Sequence, residues 1–310
     1  MIKVFGHISP DTDATVSAIL WAWYLNNHTT HEATPFVLGS LNKETQFVLS
    51  RWNAEEPALL ESITAEDKVV IVDTNNPQEL FANINEAEVT QIIDHHMLTG
   101  GINTRKPIDV TIKPLASTAT VIHDLIGAHT ETLPDNMAGL MLSSILSDTL
   151  AFRSPTTTPH DKNVAEKLAE RLSININTYA NEMFAAKSNV SDFTDLGLLH
   201  IDSKKSALGN KNIRISVVET TDTDSILKRK DGIVAAIKTL VEEEKDVDEV
   251  LFFIIDIFKE QATVLTYNQF VQDIISASFG VTADKETEIL PGIVSRKKQI
   301  IPMLTLPTQN

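Results

Sequence analysis

Several short stretches of this 310-residue chain carry side chains that could do chemistry together. His7, Asp11 and Asp13 occur within GHISPDTD, one imidazole and two carboxylates inside seven residues. That spacing suits chelation of a divalent ion by nitrogen and oxygen donors. Asp11 and Asp13, with Ser9, would equally serve as helix N-caps beside a strand-end histidine. Asp73 closes the run VVIVD, and Asp94, His95 and His96 close QIIDHH. A lone strand-end Asp is an ordinary cap or turn residue, but two histidines directly after one are unusual in a purely structural turn. Asp148 falls inside the apolar stretch AGLMLSSILSDTLAF, one helical turn after Ser144. A carboxylate buried there needs a partner, and a cation is the economical one; the other reading places Asp148 on the solvent face of an amphipathic helix.

Near the C-terminus, Arg296, Lys297 and Lys298 interrupt an apolar pattern formed by Ile293 and Val294 before them and Ile300, Ile301 and Met303 after. Such a run is either a solvated face or an anion-binding cluster. On a strand, three adjacent side chains cannot share a face, so Lys298 is expected to point away from a ligand held by the other two. The other six histidines, His28, His31, His123, His129, His160 and His200, fit no ligand spacing and read as surface or core residues.

These groups need elements that bring them to one place. Residues 2–5 read as a strand, 14–26 as a helix, 69–72 and 89–93 as strands ending at Asp73 and Asp94, and 137–152 and 164–172 as helices. Alternating strands and helices predict an α/β fold with a parallel sheet and helices on both its faces. Three strands then deliver carboxylates or imidazoles to one edge, the carboxyl edge where ligands bind in such sheets. The length suggests two domains: an N-terminal parallel-sheet domain over 1–186, a polar linker or hinge over 187–195, and a smaller C-terminal α/β domain over 196–310. In the latter, strands are expected near 213–218, 250–257 and 262–267, with a helix at 233–244 and a further strand pair flanking the basic cluster. The active site is expected in the cleft between the domains.

Composition narrows the classes. With 26 Lys+Arg against 42 Asp+Glu the net charge is -16, whereas a general binder of nucleic-acid backbone would be basic. The acidity is concentrated: residues 1–186 hold 11 Lys+Arg against 23 Asp+Glu, the remainder 15 against 19. The longest apolar run, Ala18 to Leu25, is eight residues, where a membrane span needs about 20. The opening MIKVFG is strand-like and has no basic leader, so a cytoplasmic location with no membrane partner is expected. Without cysteine there is neither a disulfide nor a thiolate metal site, and a metal must be held by His, Asp and Glu.

The set GHISPDTDATVSA, VVIVD, IIDHH, SSILSDTLAF and GIVSRKKQIIPML resembles the family II, manganese-dependent inorganic pyrophosphatases of the DHH phosphoesterase superfamily. The motifs run in order nearly from end to end. The DHH triplet alone marks the superfamily, and its combination with SRKKQ at 295–299 marks the pyrophosphatase branch. The resemblance implies a DHH domain followed by a DHHA2 domain, pyrophosphate as substrate, and a homodimer through the N-terminal domain. It also implies that His7, Asp11 and Asp73 hold one metal while Asp13, Asp73, His95 and Asp148 hold the second, Asp73 bridging both. His96, Lys204, Arg296 and Lys297 fall on positions that contact the phosphates in the family. In one place the chain departs from the family's pattern: Thr74 and Asn75 follow Asp73 where many members carry a His. This leaves the ligand set intact and bears on hydrogen bonding behind it. Asp94 is read as orienting His95 or a neighbour.

Asp11, Asp13, Asp73 and Asp148 supply about -4 of charge, which two divalent ions would balance. Imidazole donors favour Mn²⁺ or Co²⁺ there, with an additional Mg²⁺ arriving with the substrate. The expected chemistry is hydrolysis of pyrophosphate to two phosphates by a bridging hydroxide activated between the two ions. Asp73 and His96 are the expected catalytic residues, and His96 could hydrogen-bond or protonate near the leaving phosphate. Another DHH-type phosphoesterase acting on short polyphosphate or oligonucleotides would use the same cluster, but the GGGH-type motif of the oligonucleotide branch is absent, which argues against nucleic acid. A nucleotide-binding module would carry G-x-G-x-x-G or G-x-x-x-x-G-K-[ST], and neither occurs. A non-catalytic metal-binding regulatory protein is left open by the motifs.

Overall fold

The computed structural model describes residues 1–306, and of Lys298 the backbone alone. The expectation about where Lys298 points therefore concerns a side chain outside the described residues. The chain divides into two compact units, Met1–Lys187 and Ser188–Asn310.

The first unit runs β1 (Ile2–Phe5), α1 (Thr12–His28), β2 (Ala33–Val37), α2 (Lys43–Arg51), β3 (Ala58–Leu59), β4 (Lys68–Val72), β5 (Glu88–Asp94), β6 (Asp109–Ile112), α3 (Thr118–Ile126), α4 (Asp135–Asp148), α5 (Pro159–Leu172) and α6 (Ile176–Lys187). The strands form one parallel sheet in the order β3-β2-β1-β4-β5-β6. From β1 the chain winds outward to β3, then returns to the centre and winds the other way from β4. The reversal between β1 and β4 is the place where such a sheet opens a crevice outside its carboxyl ends. Val69 to Val72 are four consecutive buried residues, as expected of a strand covered on both faces. Helix α1 is buried from Thr12 to Ala22 and contacts α3, α4 and β2, which is why its apolar residues ring the helix instead of forming a stripe. Gly6 lets α1 start this close to the sheet, since a Cβ there would lie 2.7 Å from Ala14 Cβ and 3.1 Å from the Val72 carbonyl.

The helix expected over 137–152 is shorter, ending at Asp148. Leu150, Ala151 and Phe152 adopt φ of 48°, 51° and 71°, conformations that end a right-handed helix although their side chains continue the apolar pattern. Asp148 therefore occupies a helix end.

The second unit contains α7 (Asp195–Leu198), β7 (Asp202–Leu208), β8 (Lys211–Thr220), α8 (Thr223–Leu227), α9 (Lys230–Glu243), β9 (Glu249–Asp256), β10 (Gln261–Leu265), α10 (Gln269–Phe279), β11 (Thr287–Pro291) and α11 (Ile301–Met303). Its sheet has the order β11-β10-β9-β8-β7, parallel between β8 and β9 and antiparallel elsewhere. Leu251, Phe253 and Ile255 pack with Val271, Ile274 and Ile275 of α10. Val250, Phe252 and Ile254 pack with Ile233, Ile237 and Leu240 of α9. Period-two alternation with both faces covered explains why β9 reads as an unbroken apolar run. The strand pair expected to flank the basic cluster is corrected. β11 precedes the cluster, but Arg296–Ile300 forms a π-helical turn leading into α11, anchored by the buried Ile293 and Ile300.

Candidate metal centre

The carboxyl ends of β1, β4 and β5, adjacent in the sheet, carry His7, Asp73 and the Asp94-His95-His96 run. The start of α1 adds Asp11 and Asp13, and the end of α4 adds Asp148. All six expected ligands are thus brought together within the first unit, in two overlapping groups. In one, His7 Nε2 lies 3.6 Å from Asp11 Oδ2 and 3.5 Å from Asp73 Oδ2. In the other, His95 Nε2 lies 3.9 Å from Asp13 Oδ2, 3.4 Å from Asp73 Oδ1 and 3.9 Å from Asp148 Oδ2. Asp73 thus offers one carboxylate oxygen to each group. It does so from a left-handed backbone conformation, φ 59°, rare for a residue with a Cβ but most accessible to Asp and Asn. The conformation stands at the end of β4, where the two carboxylate oxygens meet His7 and His95.

Each donor is held from behind. Asp11 caps α1, its Oδ1 accepting from the Ala14 amide at 2.9 Å, so both readings of this residue coexist: one oxygen caps, the other faces His7. Asp13 is fully buried, and its oxygens accept from the Thr118 amide at 2.6 Å, the Ala119 amide at 3.1 Å and Ser117 Oγ at 2.9 Å, all at the N-terminus of α3, and also from Ser144 Oγ. Thr118 Oγ1 donates to Asp73 Oδ1 at 2.9 Å. His95 Nδ1 donates to the Leu115 carbonyl at 3.0 Å, which turns Nε2 into the cluster, the usual support of a ligating imidazole. Sequence reasoning missed Ser117, Thr118 and Leu115, because nothing in the local pattern says which helix N-terminus meets Asp13.

Asp94 lies behind the cluster. Its Oδ1 accepts from the His95 and His96 amides at 2.8 and 3.1 Å and from His96 Nδ1 at 2.9 Å, while its Oδ2 accepts from Asn75 Nδ2 at 2.6 Å. Asn75 Oδ1 in turn receives the Thr99 amide, and Thr74 Oγ1 donates to Glu79. The two residues at the sequence departure thus brace the loops around the site. His96 is half exposed with its Nδ1 committed to Asp94.

Burial and crowding of like charges shift the titration of the cluster. Burial, then the negative charge of Asp13, pushes the Asp73 carboxyl up to about 6 against the pull of His7 and His95. Burial, with Asp13 and Asp73 nearby, raises Asp148 well above the ordinary carboxylate range. Asp13 is held at about 2: burial works against ionisation, but the His95 charge and the hydrogen bonds outweigh it. Burial opposes charge on His7 and His95 too, yet the surrounding carboxylates hold them at about 10 and about 9. Packed carboxylates of this kind share protons or take divalent ions, and the oxygen and imidazole donors fit borderline first-row ions.

In the second unit, Arg296 forms a two-pronged pair with Asp202, Nε to Oδ2 at 3.0 Å and Nη2 to Oδ1 at 2.6 Å. Lys204 lies two residues along β7 from Asp202, on the same side of that edge strand by period-two alternation. Lys204 and Lys297 are exposed and, among the described residues, form no ion pair. Asp202 is a further residue that sequence reasoning missed. Its signal was faint, a single acidic residue ahead of the polar run SKKS.

The fold and the cluster define an α/β protein in which two groups of candidate metal donors, His7-Asp11-Asp73 and Asp13-His95-Asp148, meet at the carboxyl edge of a parallel sheet. The "DHH family, N-terminal domain" model matches residues 1–145, and the "DHHA2 domain" model matches residues 181–306. The chain is 36% identical to the "Manganese-dependent inorganic pyrophosphatase" of Bacillus subtilis over 98% of this chain and 97% of that one. It is 36% identical to the "Probable manganese-dependent inorganic pyrophosphatase" of Oceanobacillus iheyensis over 98% and 99%. The crystal structure of a "Methanococcus jannaschii putative family II inorganic pyrophosphatase" superposes with a TM-score of 0.62 at 36% identity over 98% of each chain. The chain belongs to the family II, manganese-dependent inorganic pyrophosphatases.

Proposed function

We propose that the protein hydrolyses inorganic pyrophosphate to two phosphates. The observation carrying this reading is the convergence of two donor groups on the two oxygens of Asp73. In this reading His7, Asp11 and Asp73 hold one ion, and Asp13, Asp73, His95 and Asp148 hold the other. Imidazole donors favour Mn²⁺, or Co²⁺, in these places, with Mg²⁺ accompanying the substrate. A divalent pair supplies Lewis acidity, activating water for attack on phosphorus and neutralising phosphate charge.

The chain's own residues do the rest. Asp73 sets the spacing of the two positions, and Asp13, clamped by the N-terminus of α3, fixes one of them. His96, held by Asp94, presents its remaining ring nitrogen for hydrogen bonding or proton delivery to a phosphate oxygen. Lys204, Arg296 and Lys297 provide the positive charge that a substrate with several negative charges needs, and Asp202 pre-organises the Arg296 fork. The DHH part over 1–186, a hinge over 187–195 and the DHHA2 part over 196–310 are the proposed functional division. A homodimer through the first unit fits the exposed edge of β6, where Val110 is 52% exposed. The acidic balance disfavours nucleic acid as partner, no helix among the described residues is long and apolar enough to cross a membrane, and the cysteine-free composition suits the cytoplasm.

The test is phosphate release from pyrophosphate, tripolyphosphate and a dinucleotide with Mn²⁺ or Mg²⁺. Rapid turnover of pyrophosphate above both others supports the proposal. Preference for the dinucleotide or tripolyphosphate would reassign the substrate, and metal binding with no phosphoanhydride turnover would make the protein a non-catalytic metal binder.

A further inference from the structure

We propose that His123 and Asp124 of α3 and His160 of α5 form a separate binding site for a transition ion of the Zn²⁺ class, which clips these two helices together. His123, Asp124 and His160 can each offer one donor atom such that the three lie within 4.8 Å of one another. His123 Nδ1 is 3.5 Å and His160 Nε2 2.7 Å from Asp124 Oδ1. Ligand atoms around a tetrahedral Zn²⁺ at 2.0–2.2 Å stand about 3.3 Å apart. The first distance already matches, and the second requires an opening of less than about 1 Å.

A second observation points to a ligand. His123 Nδ1 is buried and has no hydrogen-bond partner, a costly state for a polar nitrogen. Burial favours its neutral imidazole, the ligating form, despite the neighbouring Asp124. The class of ion follows from the charges. Lys113 Nζ sits 2.8 Å from Asp124 Oδ2, so the one carboxylate is already neutralised and offers little to Mg²⁺ or Ca²⁺, which depend on anionic oxygen. Two nitrogen donors then decide, and they favour Zn²⁺ over Mn²⁺. Local spacing does not reveal this group, because His160 lies on α5 and His123 and Asp124 on α3.

The site lies on helices that brace the first centre. The N-terminus of α3 holds Asp13 and Asp73, and Ala116, just before it, donates to Asp161 Oδ2 of α5 at 3.1 Å. An ion joining α3 to α5 would add a second tie between them.

The experiment counts bound metal. Full-length protein and its His160→Ala, His123→Ala and His200→Ala variants are dialysed against Mn²⁺ with micromolar Zn²⁺, and total Mn plus Zn per chain is measured, with circular dichroism to confirm folding. The expected result is one ion fewer in each of His160→Ala and His123→Ala than in the parent, with His200→Ala unchanged. An equal count in the parent and folded His160→Ala overturns the proposal. Because the comparison is a difference between chains altered only outside the Asp73 cluster, it stands whether or not that cluster holds two ions.

Discussion

Asp73 carries more of the account than any other residue, and its backbone conformation dictates how to test it. At φ 59° an alanine would add backbone strain to the loss of charge, whereas Asn tolerates the left-handed region about as well as Asp. Asp73→Asn therefore isolates the carboxylate: circular dichroism should be unchanged while bound metal and pyrophosphate turnover fall, turnover by more than about 100-fold. Full activity with unaltered metal content would remove Asp73 from the bridging role. His95 and His96 should separate in the same assays. His95→Ala should lose metal, because Nε2 faces three carboxylates. His96→Ala should keep metal and lose turnover, because its Nδ1 is engaged by Asp94 and half its side chain is exposed. Equal metal loss in both variants would contradict separate roles. Proton balance gives a further check. At pH 7, below the values of about 10 and about 9 that the carboxylates impose on His7 and His95, both imidazoles of the metal-stripped protein carry protons that ligation must displace. Mn²⁺ binding should release protons and strengthen as pH rises toward 9, measurable by calorimetry in buffers of differing ionisation heat. Proton-neutral binding would contradict this coupling of metal binding to deprotonation of His7 and His95.

Elements differ in how much of them the sequence discloses, and the reason is physical. β4 is legible because a central strand covered on both faces is a run of buried apolar residues, and β1 and β5 are legible from their short apolar segments, which lead directly to His7 and Asp94. β7 was not, since the edge strand Asp202–Leu208 is half solvated and reads as polar loop. Helix α4 ends four residues before its apolar pattern does, because the backbone turns left-handed at Leu150, Ala151 and Phe152. The support for Asp13 was invisible for a different reason: Ser117 and Thr118 meet it only through tertiary packing. The same helix start also holds Asp73, and the weight of that contact can be measured. Thr118→Val removes the hydroxyl that donates to Asp73 Oδ1 while preserving shape, and should weaken Mn²⁺ affinity by about 10–100-fold. An unchanged affinity would show that the Thr118 hydroxyl does not support Asp73 as a ligand.

At the scale of the whole molecule, charge is partitioned. The acidic first unit carries the cation donors, and the second unit carries exposed Lys204 and Lys297 beside Arg296. If these take the phosphates, Arg296→Ala and Lys297→Ala should each lower kcat/KM for pyrophosphate by about 10–100-fold, the worth of a charge-assisted contact, without changing metal content. Arg296→Lys should recover only part, since an ammonium cannot reproduce the fork. Normal kinetics in both alanine variants would return the cluster to a solvated face. The central claim, that pyrophosphate is hydrolysed by a pair of ions sharing Asp73, is tested most directly by measuring turnover as a function of Mn²⁺ bound per chain. The His160→Ala background suits this, because it excludes the α3–α5 site from the count. Turnover should stay near zero until the second ion binds and then rise in proportion to the doubly loaded fraction; full turnover with a single ion bound, or none with two, would contradict the account.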